Sequence, residues 1–271
     1  MQRFAMKLRF SGASVEQSGL DLYDGATSFY GFSQAIPIVV HAYMNNEVVS
    51  RGTALKGAKV YFGSPRRGSV IFDIITEIQR NPVSTEIGVG SSVAAAVFYD
   101  FIKYSFSKAC GYLKVKPETS VVEKMRAIDE PFFDELAETL EGSLQRGHRA
   151  IDHGVRQITL ERPRSELIAF NHRTSEWVHT RDENPEVQIF NGNVTRYNSI
   201  TGNGRAYIRE LRRILPFRPS DAFPEEDKWF LTWSLHGDNV DTKKELVFQA
   251  SRIDSARGDP KRIILFGCKQ A

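Results

Sequence analysis

The sequence predicts an α+β protein: an N-terminal antiparallel sheet covered by a long helix, a helical segment, and a small C-terminal β-barrel-like domain. Three observations predict it. Apolar residues recur every three or four positions across residues 20–43. Two alternating runs, residues 58–62 and 70–75, flank a connection containing Gly63, Pro65 and Gly68. Five further short β-like runs crowd into residues 187–266.

Taken in order, residues 7–10 alternate as a short strand does. Leu22, Tyr23, Ala26, Phe29, Tyr30, Ser33, Ile36, Val40 and Tyr43 then mark one face of an amphipathic helix, and Asn45-Asn46 ends the pattern. Pro37 lies inside it, so a kink or break is expected near Ala35, because proline removes an intrahelical donor. Val60 with Phe62, and Val70 with Phe72 and Ile74, alternate as a hairpin requires, with the glycines and proline between them at the turn.

Residues 87–113 and 120–145 read as helices. The second carries Thr119, Ser120 and Glu123 in a capping-box pattern, and Pro131 is expected to divide it. The chain turns polar at residues 180–185, which places a boundary between a domain over residues 1–180 and a β-rich, OB-like domain over residues 186–271. In the second domain, strands are expected at 187–197, 204–209, 213–217, 245–253 and 262–266, with a helical turn at 225–235.

Composition narrows the function classes. A chain of 271 residues that is 41% hydrophobic and 25% charged can build a full core, which excludes a disordered or low-complexity protein. Two cysteines, Cys110 and Cys268, exclude a disulfide scaffold and a cysteine-based zinc site, and suit a reducing compartment. A net charge of +3 is too small to announce a polyanionic partner. Split by segment it becomes more informative: residues 1–80 hold 9 basic and 6 acidic residues, residues 81–185 hold 13 and 16, and residues 186–271 hold 14 and 11. The most apolar stretch is residues 87–102, whose uncharged part of 13 residues falls short of the roughly 20 needed to span a bilayer. The opening MQRFAMKLRFSG reads as a strand rather than a signal peptide, so a cytoplasmic location is expected and a membrane partner is not.

The most suggestive segment is Gly192-Asn193-Val194-Thr195-Arg196-Tyr197-Asn198 followed by Gly202-Asn203-Gly204-Arg205-Ala206-Tyr207-Ile208. It resembles the opening of cold-shock and other OB-type barrels, although Arg196 stands where cold-shock proteins carry an aromatic. The resemblance implies single-strand binding, with Tyr197 and Tyr207 stacking on bases and Arg196, Arg205 and Arg209 near phosphates. Arg66 and Arg67, on the turn between the two N-terminal runs, could also grip phosphates or merely solvate a loop. No catalytic or metal set assembles. His148, Asp152 and His153 have no third ligand nearby, Asp21 and Asp24 suit a helix N-terminus, and Asp73 with Glu77 lacks a completing lysine. Walker, Rossmann and Gly-x-Ser-x-Gly patterns do not occur, and no cofactor is expected.

The entry Leu8-Arg9-Phe10-Ser11-Gly12, the long helix, Lys56-Gly57-Ala58 and above all Pro65-Arg66-Arg67-Gly68-Ser69 ahead of Ile71-Phe72 resemble a family of uncharacterised bacterial proteins. Its members place an N-terminal strand–helix–hairpin domain before a C-terminal β-domain. The resemblance implies an architecture and a bacterial accessory setting, such as mobile elements or antiphage defence, and no active site. The expectation is therefore a non-enzymatic binding protein acting on a protein partner or on a second copy of itself. Nucleic-acid binding through the C-terminal barrel is the alternative, and membrane disruption by residues 87–102 is a second one.

Overall fold

The computed structural model describes residues 1–51, 55–63, 70–79, 82, 91–112, 114–179, 182–239, 244–255, 258 and 260–271. The chain divides into two compact units, one of Met1–Ile128 with Glu135–His179 and the other of Asp129–Asp134 with Thr180–Ala271.

The first unit is built on a five-stranded antiparallel sheet. Its strands are β1 (Gln2–Ser11), β2 (Ala58–Phe62), β3 (Val70–Ile78), β4 (Gln157–Arg162) and β5 (Ser165–Phe170), in the order β2-β3-β1-β4-β5. The expected short strand at residues 7–10 is the end of this longer central β1. Phe4, Met6, Leu8 and Phe10 alternate along β1 and are all buried, each worth about 1.5–3 kcal/mol against exposure. Across the register they meet Phe72 and Ile74 on β3 and Ile158 and Leu160 on β4. The other face is polar and paired: Arg9 Nε donates to Glu161 Oε1 at 2.7 Å, and Arg3 faces Glu77 at 3.9 Å.

Helices cover the apolar face. α1 (Ala13–Ser18) is a short turn, and α2 (Leu22–Asn45) is the long amphipathic helix. Asp21 caps α2 by accepting from the Asp24 amide at 2.9 Å, and Asn46 closes it in a left-handed conformation. The expected break near Ala35 does not occur, since α2 runs unbroken through Pro37. One lost hydrogen bond is outweighed by the burial of Phe32, Ala35, Ile36, Ile38, Val39 and Val40 around it.

The 87–113 expectation reduces to α3 (Ser91–Ala109), with residues 87–90 outside the described ones. Phe98 of α3 stacks on Phe4 at 4.2 Å and meets Tyr43 edge-on at 5.3 Å. Among the described residues no helix is long and apolar enough to cross a membrane. Asp100, although buried, accepts from the amides of Glu118 and Thr119 and from the Thr119 hydroxyl, which fixes the start of α4 (Ser120–Ile128). The expected capping box is different in detail: Thr119 is the cap, and Glu123 pairs with Arg126 instead of reaching back. The chain breaks at Asp129, whose side chain accepts from the Phe132 amide, so Pro131 sits in the first turn of α5 (Glu130–Gly147), where its missing N–H costs nothing. In the first unit, Gly31 of α2 faces α5 so closely that a Cβ there would lie 2.3 Å from the Gly147 amide nitrogen.

Beyond the helices expected up to residue 145, the middle of the chain also contributes strands. After α5 and α6 (Arg149–Asp152) come β4 and β5, a hairpin that joins the N-terminal sheet through β1, and then α7 (His172–His179).

The second unit holds a closed barrel. β6 (Asp182–Tyr197), β7 (Gly204–Ile208) and β8 (Arg213–Pro219) form a meander. A 3-10 turn (Glu225–Asp227) and α8 (Lys228–Asn239) follow, then β9 (Leu246–Asp254) and β10 (Pro260–Gln270). β9 pairs with both β6 and β10, and a parallel β8–β10 pairing at Phe217 and Ile263 closes the ring in the order β10-β8-β7-β6-β9. The core is made by alternate inward residues, among them Phe190, Val194, Ala206, Leu215, Phe217, Phe248, Ile263 and Leu265, with Leu231 of α8. Helix and barrel are also hydrogen-bonded. The Ser234 hydroxyl accepts from the Val194 amide and donates to the Lys244 carbonyl.

Candidate nucleic-acid interface

The candidate residues lie on β6, β7 and the turn after β7. On β7 the pleat sends Ala206 and Ile208 into the core and Arg205 and Tyr207 outward. Tyr207 is 37% exposed, and across the register it stands opposite Asn193 of β6 and Ile214 of β8. Asn193 is held in place by donating to Asp238 of α8 at 2.9 Å. This outward patch depends on a close approach of β6 to β7. A Cβ at Gly192 would lie 1.8 Å from the Tyr207 carbonyl oxygen, so glycine is required there.

Tyr197 is elsewhere. Strict alternation from Asn191 and Asn193 would point it outward beside Tyr207. The register shifts between Val194 and Arg196, however, and such a bulge re-aims the side chains beyond it. Tyr197 instead packs on the barrel core, its ring stacked on Phe217 at 6.3 Å, and burial raises its hydroxyl above the usual pKa. The two tyrosines do not share a face.

The arginines carry carboxylate partners. Arg205 Nη1 donates to Asp134 Oδ2 at 2.9 Å and lies 3.3 Å from Glu130 Oε1, and Arg196 Nε lies 3.9 Å from the other oxygen of Glu130. All four belong to the second unit, so Glu130 draws Arg196 and Arg205 together. Arg209 pairs with Glu245, a hydrogen bond that raises its pKa further. Arg66 and Arg67 lie outside the described residues. Charge follows the same pattern: residues 180–271 hold 15 basic and 13 acidic residues, and Asp129–Asp134 adds three acids and no base.

Sequence reasoning missed four participants. Ile214 and Pro216 are the outward partners of Tyr207 and Arg205, and the alternation of residues 213–217 carried that signal. Glu130 and Asp134 lie some 70 residues from Arg205 in the chain, and no local pattern marks them. The remaining candidates are structural. His148 is buried, its Nδ1 2.7 Å from the Leu144 carbonyl and its Nε2 2.8 Å from the Thr174 hydroxyl. Asp152 accepts from Ser175, and Asp24 pairs with Arg149 and faces His153. Among the described residues no group of three His, Cys, Asp or Glu could hold a metal.

Both cysteines are reduced and buried. Burial, reinforced by Asp227, pushes the Cys268 thiol up to about 12. Because the thiolate is the nucleophile, iodoacetamide at pH 8 is expected to leave both thiols intact in native protein and to modify both in urea, as read by mass. Rapid native labelling of Cys268 would contradict the packing.

Residues 6–179 match the family described as Domain of unknown function (DUF7946). The chain belongs to the DUF7946 family. The DUF7946 span ends where α7 ends, before β6 begins, so the barrel lies beyond the matched region. No curated protein matches the chain, and neither does any solved structure.

Proposed function

We propose that this DUF7946 protein is a non-enzymatic binding protein whose barrel takes single-stranded nucleic acid on the outward face of β6, β7 and β8. The observation that carries the reading is the strand order. A three-strand meander, a helix, and two further strands closed by a parallel pairing of the third with the fifth is the order of OB-type barrels. Such barrels bind oligonucleotides on the face of their second and third strands, here β7 and β8. That face presents a half-exposed tyrosine flanked by apolar Ile214, suited to stacking on a base, with Arg196, Arg205 and Arg209 at its margins, each held by a carboxylate that a phosphate backbone would displace. A bacterial accessory setting belongs to the same proposal.

The test is fluorescence anisotropy with a labelled oligonucleotide between 25 and 300 mM salt, ranges of the order used to resolve counterion release. Tyr207→Ala is expected to weaken binding by about 5- to 100-fold, the worth of one stacked base. Glu130→Gln with Asp134→Asn frees Arg205 and is expected to tighten binding and steepen its salt dependence by about one phosphate contact. Absence of salt-sensitive binding at the lowest salt would overturn the reading.

A second reading has its own observation. Trp229 of α8 is 58% exposed, with Phe230 packed edge-on at 5.2 Å and Trp233 stacked at 6.3 Å. Exposed tryptophan is a mark of protein interfaces, so α8 is where a protein partner or a second copy would dock. Loss of a co-purifying partner or of self-association in Trp229→Ala tests it, and a strictly monomeric, partnerless protein would end it.

A further inference from the structure

We propose that the first unit carries a second, independent binding site, for a small molecule bearing a phosphate group, in the cleft between α2 and α5. The cleft encloses about 710 Å³, within the range of sites that hold metabolites and far more than an inorganic anion fills. Its charge is one-sided. Arg51 and Arg146 both line it, and among the described residues no carboxylate does.

Neither arginine is neutralised by an ion pair among the described residues. Arg146 is instead oriented by uncharged groups. Its Nη2 donates to Gln34 Oε1 at 2.5 Å, and its guanidinium carbon lies 5.7 Å from the centroid of Tyr30. Gln34 is itself fixed, since its Nε2 donates to the Tyr30 hydroxyl at 2.9 Å. Held in this way, the guanidinium keeps its full charge and has donors to spare, and its fork matches the oxygens of a phosphate. Ser50 and Ser143 add hydroxyls to the same walls, each able to donate to a phosphoryl oxygen, while the Ser33 hydroxyl donates to the Tyr30 carbonyl at 2.8 Å, and Ile38 supplies apolar surface for the organic part. Arginines elsewhere in the molecule show the contrast. Arg149 pairs with Asp24, Arg205 with Asp134 and Arg209 with Glu245. The two in this cleft have their charge available for a ligand.

Isothermal titration of the full chain with AMP, ADP, ribose 5-phosphate, adenosine and inorganic phosphate tests the proposal. At least one phosphorylated compound is expected to bind saturably, with affinity at least tenfold above that of adenosine. Arg51→Gln, an exposed position where folding is not at stake, is expected to weaken it at least tenfold, and Arg146→Gln to do the same. No saturable binding by any phosphorylated compound would overturn the site. So would unchanged affinity in Arg51→Gln. Adenosine binding as tightly as AMP would overturn phosphate recognition, and inorganic phosphate binding as tightly as the larger compounds would reduce the site to an adventitious ion only. The outcome does not depend on whether the barrel binds nucleic acid.

Discussion

Gly31→Ala is expected to destabilise the protein by about 2 kcal/mol, while Gly142→Ala, only a few residues from the same helix crossing, is expected to stabilise it by about 0.5–1 kcal/mol. The substitution is identical, and in both cases a helix gains about 1 kcal/mol of intrinsic propensity when glycine becomes alanine. What differs is the space around the new methyl. At Gly142 nothing lies within 4 Å of it. At Gly31 it would stand 2.3 Å from the Gly147 nitrogen, 2.5 Å from the Ser143 oxygen and 2.8 Å from the Arg146 carbonyl carbon. These are backbone atoms, so no rotamer change relieves the clash and the two helices must part. Parting them loosens the packing of Phe32, which is buried and lies 4.8 Å from Phe170 at the sheet. Overpacking costs about 1–3 kcal/mol and occasionally more, which exceeds the propensity gain. Gly31→Val should cost beyond 3 kcal/mol, because its two further methyls meet the same backbone. Urea unfolding midpoints of the three variants decide the matter, and a Gly31→Ala protein as stable as the parent would show that α2 and α5 are not this close. The same crossing forms the walls of the arginine-lined cleft, so Gly31 variants are also expected to disturb ligand binding there.

Local patterning carried most of the fold, and the limits of local patterning explain what was missed. The apolar spacing of residues 20–43 announced α2 well enough to place it within a few residues of its observed ends, and the alternation of residues 213–217 announced β8. The break expected at Pro37 does not occur: the sequence shows the lost donor and not the surrounding burial that compensates for it. The β4–β5 hairpin escaped notice although Ile158 and Leu160 alternate with Thr159 and Glu161. Its partner strand β1 lies about 150 residues earlier in the chain, and a pairing at that distance leaves no trace in any short window. The candidate site divides in the same way. The outward position of Tyr207 follows from the regular alternation of β7. Tyr197 turns toward the core because a single bulge shifts the period of two, and a bulge depends on the partner strand as much as on its own residues. The clamp of Glu130 and Asp134 on Arg205 is a contact between distant segments, and it changes the reading of that arginine from an available cation to one that a ligand must win from two carboxylates.

Between pH 6.5 and about 4 the protein is expected to lose about 3 kcal/mol of stability through His148 alone. Burial holds its imidazole down to about 4, where an exposed histidine titrates near 6.5, and it outweighs the opposing effects of the Leu144 carbonyl and Asp152; His179 adds to the lowering. The hydrogen bonds show why the ring stays neutral. The Leu144 carbonyl can only accept, so Nδ1 carries the proton, and Nε2 is left to accept from the Thr174 hydroxyl. Protonating Nε2 would force that hydroxyl to turn away, towards the Asn171 carbonyl at 2.8 Å, and would leave a charge enclosed against the edge-on ring of Phe170. The sign follows from proton counts. Between the two values the unfolded chain binds a proton at this position and the folded chain does not, so stability rises with pH across that window. The contribution is complete above 6.5 and is lost as pH falls to about 4, at roughly 1.4 kcal/mol for each unit of difference. Glu161, held low by its hydrogen bond from Arg9, and Glu123, held low by Arg126, act in the same direction but in the carboxylate range below it. The His148 share is therefore isolated by comparison with His148→Gln, whose urea midpoint should change far less between pH 7 and pH 5 than that of the parent. If the two proteins lose stability in parallel, or if an NMR titration places this imidazole near 6.5 in the folded state, then His148 is not enclosed in the way its contacts with α5, α7 and Phe170 require.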